Sequence, residues 1–343
     1  MKRKQILVIS DKFRGTLTAA QASRAIADGL RRVWDDCCEY LVLPMADGGE
    51  GTAALLPDQP VVESAQWIGH SCGDIVSEPV MQRSSAALGY AVNRMISGRG
   101  RAVVAIGGTV TADGGAGMLS ALGARFYDRR HRLLTGLSPA TLPLVCDIDL
   151  RPVQHLSRRI IALADVEASL TGPGLSALDF LAQKGASPDD ASRIRLALNH
   201  LQQLAGGHSP YDGAGGGVGY ALCSVLGCKG CLGAGYMLSE LKVDWSRVAL
   251  VVTGEGSIDS QSLGGKSVGT IIRHCDSRGI PVVAFGGRVS PEITDSRCVA
   301  VSPQGAVPEP AEAARLLREA AAAFAGSCNF DKLSVILRPQ PTL

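Results

Sequence analysis

The residues Val251-Val252-Thr253-Gly254-Glu255-Gly256-Ser257-Ile258-Asp259 decide the fold. An apolar run from Val248 to Val252 ends in a glycine turn with two carboxylates, and a helix-like segment with Lys266 follows. That is the layout of a β-strand delivering acidic groups to the carboxyl edge of a parallel sheet, where open α/β folds bind ligands. Two more stretches have this form: Ile6-Leu7-Val8-Ile9-Ser10-Asp11-Lys12-Phe13-Arg14-Gly15 and Leu41-Val42-Leu43-Pro44-Met45-Ala46-Asp47-Gly48-Gly49-Glu50-Gly51. Each is an apolar strand followed by Asp, a second charged residue and Gly. Three such strand ends are expected to converge on one anionic, phosphate-bearing ligand and its metal.

Outward from these strands, residues 5–10 form the first strand and a helix begins near Thr18, a residue suited to an N-cap. Ala22, Ala25, Ile26, Gly29, Leu30 and Val33 follow at helical spacing. A second strand spans 40–43, and a short helix through Leu55 and Leu56 stops before Pro57. The alternation resumes with a strand at 248–253, a helix at 267–276, strands at 281–286 and 298–301, and an Ala-rich helix at 310–324. Five parallel strands alternating with helices predict a doubly wound α/β domain, flavodoxin-like, with sheet order 2-1-3-4-5. Residues 1–57 and 247–343 would build it. Residues 58–246 are too many for a loop and are expected to form a second, inserted α/β domain. Within the insertion, strands are expected at 101–106 and 159–163. Helices are expected from about Met118, over 191–204, and from the turn Gly213–Gly219. The tail from Arg338, with two prolines, is expected to fray.

With 343 residues, 46% of them hydrophobic and 19% charged, two domains can each bury a core and global disorder is excluded. A net charge of +2 gives no push towards nucleic acid or membrane, and 4% aromatics argue against base stacking. After the basic start Met1-Lys2-Arg3-Lys4, only Ile6 to Ile9 are continuously apolar, too short for a signal or bilayer span. The expectation is a cytoplasmic protein acting on a small molecule, with no nucleic acid or membrane partner and its oligomeric state open. The cysteines are irregularly spaced: Cys37 and Cys38 are adjacent, and Cys228-Lys229-Gly230-Cys231 lacks a second pair for a zinc site. Ordinary thiols in a reducing compartment are the expected reading.

Asp47 with Glu50, and Glu255 with Asp259, place carboxylates on turns at strand ends, which suits Mg²⁺ and its preference for oxygen ligands. One of them could instead be the base for a substrate hydroxyl, and any single Asp could be only a turn or cap residue. Glycine-rich turns at 107–117 and 213–219 present backbone N–H groups to anions, or serve tight packing alone. No G-K-[ST] follows them at Walker spacing, and no G-x-S-x-G occurs. Lys12, Arg14, Lys184 and Lys266 are the basic residues among these turns, and phosphoryl transfer needs such cations. Arg14 is the better bidentate partner for phosphate or carboxylate. Lys184, before Gly185, reads equally as a helix C-terminal charge.

Together these blocks resemble the glycerate kinase family of the glycerate 2-kinase type. They are Asp11–Ala19, Pro44–Thr52, Ile106–Met118, Gln183–Ala186, Gly213–Gly217 and Thr253–Asp259 with Gly265-Lys266, in the family's order over nearly the whole chain. The resemblance implies ATP- and Mg²⁺-dependent phosphorylation of D-glycerate to 2-phosphoglycerate in a cleft between the domains. On this reading Asp47 is general base or metal ligand, and Glu255 and Asp259 serve the metal or nucleotide. Arg14 and Lys266 hold the glycerate carboxylate or the transferring group, and Asp113 reaches in from the inserted domain. Asp11, Gly48, Gly49, Gly107, Gly108, Gly215, Gly216, Gly254 and Glu255 line the nucleotide. The chain departs from the family where D-S-F-K-G becomes Asp11-Lys12-Phe13-Arg14-Gly15, and where Asp165-Val166-Glu167-Ala168-Ser169-Leu170 replaces an Asp-Val-Asn/Asp-Asn-Pro-Leu run. The segment 53–105 is also shorter. These departures leave open a kinase for another small hydroxy acid or polyol, or a sibling that kept the fold without the catalysis.

Overall fold

The computed structural model describes residues 4–34, 38–302, 308–333 and 337. Met1 to Arg3, Cys37 and the 338–343 tail lie outside the described residues. In chain order the strands are β1 (Lys4–Ser10), β2 (Cys38–Pro44), β3 (Val61–Glu63), β4 (Ala102–Ala105), β5 (Arg125–Tyr127) and β6 (Leu133–Leu134). They continue with β7 (Asp147–Asp149), β8 (Ile160–Ala164), β9 (Lys229–Leu232), β10 (Val248–Ile258), β11 (Val282–Val289) and β12 (Cys298–Ala300). The longer helices are α1 (Ala19–Trp34), α2 (Ala86–Arg99), α3 (Pro188–Ala205), α4 (Ser267–Asp276) and α5 (Pro310–Ser327). Two compact units result, one from residues 1–47 and 237–343 and the other from 48–236.

The first unit is a parallel sheet ordered β12-β11-β10-β1-β2, the 2-1-3-4-5 order that the alternation predicts. Val8 of β1 pairs with Val252 on one side and Val42 on the other. Ile6 to Ile9 are fully buried, which is why β1 reads as an unbroken apolar run rather than an alternating one. Thr18 and Gln21 cap α1 reciprocally: the Gln21 N–H donates to the Thr18 hydroxyl (3.3 Å) and the Thr18 N–H to the Gln21 side chain (2.9 Å). Gly29 lets α1 lie against α5, since a Cβ there would fall 2.2 Å from the Arg318 carbonyl oxygen. Ile26, Leu30, Phe285, Leu317 and Ala321 fill the space beneath, and Trp34 meets Phe324 edge-on.

One expectation here is corrected. Residues 254–258 are not a turn: β10 runs on to Ile258, pairing Glu255 with Gly286 and Ser257 with Arg288. Glycines make this possible, because a Cβ on Gly254 or Gly287 would come within 2.6 Å of a carbonyl oxygen of the facing strand.

The second unit holds a parallel sheet, β3-β4-β8-β9, and a small antiparallel one, β6-β5-β7. Val104, Ile106, Met118, Phe126, Leu198 and Tyr220 belong to its core. The helix expected from Gly213 is broken into a 3₁₀ turn, Ala214–Gly216, and a π-helical stretch, Tyr220–Val225. Gly215, Gly216 and Gly217 all have positive φ, which no regular helix accepts. Strands β3, β9 and the antiparallel trio were not anticipated. Each has four residues or fewer, and β9 (Lys-Gly-Cys-Leu) carries no apolar run to mark it.

Candidate active site

The carboxyl ends of β1 and β2 lie beside Gly254 and Glu255 of β10 in the first unit, where the strand order reverses. The Asp11 N–H donates to the Gly254 carbonyl (2.9 Å), the Met45 N–H to Ser10 O (3.0 Å), and the Ser10 hydroxyl to Gly254 O (2.9 Å). These bonds lock the three strands together. Sheets of this kind open their ligand crevice at such a point.

Asp11 is buried. Its Oδ1 accepts from the Lys12 N–H (2.7 Å) and its Oδ2 from the Ser267 hydroxyl (2.6 Å). Burial, then the charge of Asp47, push its carboxyl up to about 7, against the pull of Ser267 and Lys12. Burial likewise lifts Glu255 to about 7; the Ser262 hydroxyl and Lys266 oppose this, and Asp11 and Asp47 add to it. Asp11, Asp47 and Glu255 therefore feel one another's charge. Glu255 Oε1 is buried without a hydrogen-bond partner, as is the hydroxyl of Thr253, two residues earlier on the same strand face. Crowded carboxylates, one with an orphaned oxygen, fit a hard divalent cation. Among the described residues no three His, Cys, Asp or Glu side chains form a ready metal cage. A magnesium ion here would complete its shell from phosphate oxygens and water.

Lys266 stands at the N-cap of α4, with Ser267 as the first helical residue, so a cation, a helix N-terminus and Asp11 meet at one turn. Arg14 is exposed and its side chain has no partner among the described residues. Lys12 and Asp47 are half-buried and Glu50 is exposed.

Other assignments change. Asp259 caps the short helix Ser260–Gly264, its Oδ1 accepting from the N–H (2.9 Å) and hydroxyl (3.2 Å) of Ser262. That is a cap's geometry. Asp113 is fully buried and accepts from Ser85 N–H and hydroxyl (both 2.8 Å), Gly117 N–H (3.1 Å) and Gly115 N–H (3.2 Å). These donors, from Ser85 and from its own turn, make Asp113 an internal anchor of the second unit. Gly215, Gly216 and Gly254 are also packing glycines: an added Cβ would fall 2.3 Å from Ile106 Cγ2, 2.0 Å from Thr111 O and 2.6 Å from Phe285 O. Gly107 packs on Gly49 and beside the Asp165 carboxylate, and its N–H donates to Gly48 O (3.3 Å). Gly108 has φ +80° beside Ala65.

Three residues matter here that sequence reasoning missed. Glu63, on β3, is buried and accepts from the Gly51 (3.0 Å) and Ala53 (2.7 Å) N–H groups and from Gln66 (2.8 Å), pinning the turn after Asp47. An acid closing the apolar pair Val61-Val62 was the available signal. Ser267 follows Lys266 directly, and Ser85 carries no signal in sequence. Lys184 is buried too, its Nζ donating to Thr111 O (2.7 Å) and the Thr109 hydroxyl (3.3 Å).

A model of the glycerate kinase family matches residues 6–60 and 54–327. The chain is 31% identical to a Haemophilus influenzae glycerate kinase, over 82% of this chain and 85% of that one. It is 28% identical to a Bacillus subtilis glycerate kinase (83% and 85%) and 27% identical to an Escherichia coli glycerate 2-kinase (84% and 86%). A crystal structure of a Salmonella typhimurium LT2 protein, assigned as a glycerate kinase 2, shares the fold with a TM-score of 0.69 at 24% identity, covering 95% of this chain and 98% of its own. No helix among the described residues is long and apolar enough to cross a membrane.

Proposed function

The chain belongs to the glycerate kinase family, and on that premise we propose that it transfers the γ-phosphoryl group of ATP to the 2-hydroxyl of D-glycerate, with Mg²⁺ as the metal. The observation that carries the reading is the meeting of Asp11 and Asp47, just past the ends of β1 and β2, with Glu255 on the adjoining stretch of β10, whose Oε1 is left without a partner.

Glu255 would hold the magnesium ion through that oxygen, with Asp47 within reach of the same charge. When bound, the ion neutralises phosphate charge and aligns the transferring group. The proton of the glycerate 2-hydroxyl passes to the Asp47 carboxylate as the hydroxyl oxygen attacks phosphorus. Lys266 and the first turn of α4 offset the charge that spreads over the phosphoryl oxygens. Arg14 offers its guanidinium fork to the glycerate carboxylate. Asp11, braced by Ser267, keeps the strand ends in register and adds negative charge that favours the cation.

The test is ADP release with D-glycerate, ATP and Mg²⁺, followed by phosphorus NMR of the product. A new signal split into a doublet by the single C2 proton is expected. A triplet from the C3 methylene would overturn the regiochemistry, and ADP release indifferent to D-glycerate would overturn the substrate.

A further inference from the structure

Lys184 ends the 3₁₀ turn Ala182–Lys184, and Gly185 follows in the left-handed conformation (φ +85°). That accounts for the glycine but not for the ammonium, which turns away from its own helix end. Nζ lies buried in the second unit, bonded to Thr111 O and the Thr109 hydroxyl just beyond the carboxyl end of β4. Both acceptors are neutral, and an ammonium has three N–H bonds to place. No carboxylate lies within ion-pair distance of it among the described residues. Asp165 and Asp113 act on the charge only from beyond ion-pair distance, and two neutral acceptors leave one N–H to place, so an anion in direct contact would complete the group.

The surroundings point the same way. Arg83 is a second buried cation beside it, its guanidinium spent on the carbonyls of Val76, Glu78, Val110 and Lys184. Asp113 is committed to Ser85 and its own turn. A Cβ on Gly216 would come 2.7 Å from Nζ, so the 215–217 turn gives up a side chain beside the ammonium. The Thr111 hydroxyl is buried there without a partner.

We propose that Lys184 is a binding determinant of the second unit, its buried ammonium drawing an anionic group of a reactant, phosphate or carboxylate, onto the Gly107–Thr111 turn. The proposal rests on the kinase reading for the identity of the anion. Burial lowers the ammonium to about 8; Asp165 and Asp113 favour its charge and Arg83 opposes it. The charge, and the affinity it supplies, would be present below that value and lost as pH rises through it.

Calorimetric titration of the full chain with Mg²⁺-ADP and with D-glycerate, in wild type, Lys184→Gln and Lys184→Arg, tests this. Lys184→Gln should weaken one ligand at least about tenfold, the loss of one charge-assisted contact. Which ligand weakens separates phosphate from carboxylate, and Lys184→Arg should restore most of the loss. Unchanged affinity for both ligands overturns the proposal, as does an equal loss of both with a lowered melting temperature. Should Lys184→Gln not fold, wild type and Lys184→Arg are compared at pH 7.5 and 9. Wild type should lose affinity more steeply, and parallel profiles overturn the proposal. Turnover of D-glycerate by wild type is read separately, so failure of the assigned reaction is not mistaken for failure of Lys184.

Discussion

Replacing Glu255 by Gln should make the ligand-free protein more stable at pH 8 while removing most of its activity. The carboxyl titrates at about 7 in the fold against an ordinary 4.5, because it is buried near Asp11 and Asp47. A raised carboxyl binds its proton more tightly folded than unfolded. Its contribution is thus favourable at low pH and is lost as pH rises from about 4.5 through about 7. The whole shift corresponds to about 3 kcal/mol at pH 8, an upper figure, since Asp11 shares the same repulsion. About half of that should appear as a gain in Glu255→Gln, or roughly 3–6 °C in melting temperature for a unit of this size. Near pH 4.5 the gain should vanish. Thermal melts of both proteins at pH 4.5, 6 and 8, each beside a Mg²⁺-dependent ADP-release assay, give both readings. A variant that melts at or below wild type at pH 8 would refute the burial and crowding of the carboxylate from which the site is argued.

Asp47→Asn should lower kcat at least about a hundredfold with an unchanged melt if Asp47 takes the hydroxyl proton, and near-normal kcat removes it from that role. Asp113→Asn should instead act on stability, since an amide cannot accept from all the Ser85, Gly115 and Gly117 donors; about 2–3 kcal/mol lost in urea denaturation is expected. Gly216→Ala should destabilise by more than about 1 kcal/mol, because its Cβ would sit 2.0 Å from Thr111 O at a positive φ; a melt at the wild-type temperature would contradict that packing.

The first unit was legible because its strands are buried on both faces: Ile6–Ile9 and Val248–Val252 show as apolar runs bounded by charge and glycine. The alternation around them carried the strand order. What residue type could not separate was role. Asp47 and Asp113 stand directly before glycine pairs and Asp259 follows the glycine-bearing end of β10, yet one lies among other carboxylates, one is enclosed by four donors and one caps a helix. That difference lies in which donors surround each oxygen, and Ser85 and Ser262 carry no periodic mark. The glycines mislead in the same way. Gly216 and Gly254 leave out a side chain for a facing carbonyl, and a sequence shows the omission but not what fills it. Glu63 and β3 were missed because three residues are too few for periodicity to speak.

The most direct test of the metal site is the uptake of Mn²⁺, a paramagnetic stand-in for Mg²⁺, followed by the loss of its free-ion electron paramagnetic resonance signal with ADP present. Wild type should sequester one ion per chain, and Glu255→Gln should leave at least about tenfold more free at the same concentrations. Equal uptake by the two proteins would mean that the ion does not sit on Glu255, and the convergence of Asp11, Asp47 and Glu255 would then need another explanation.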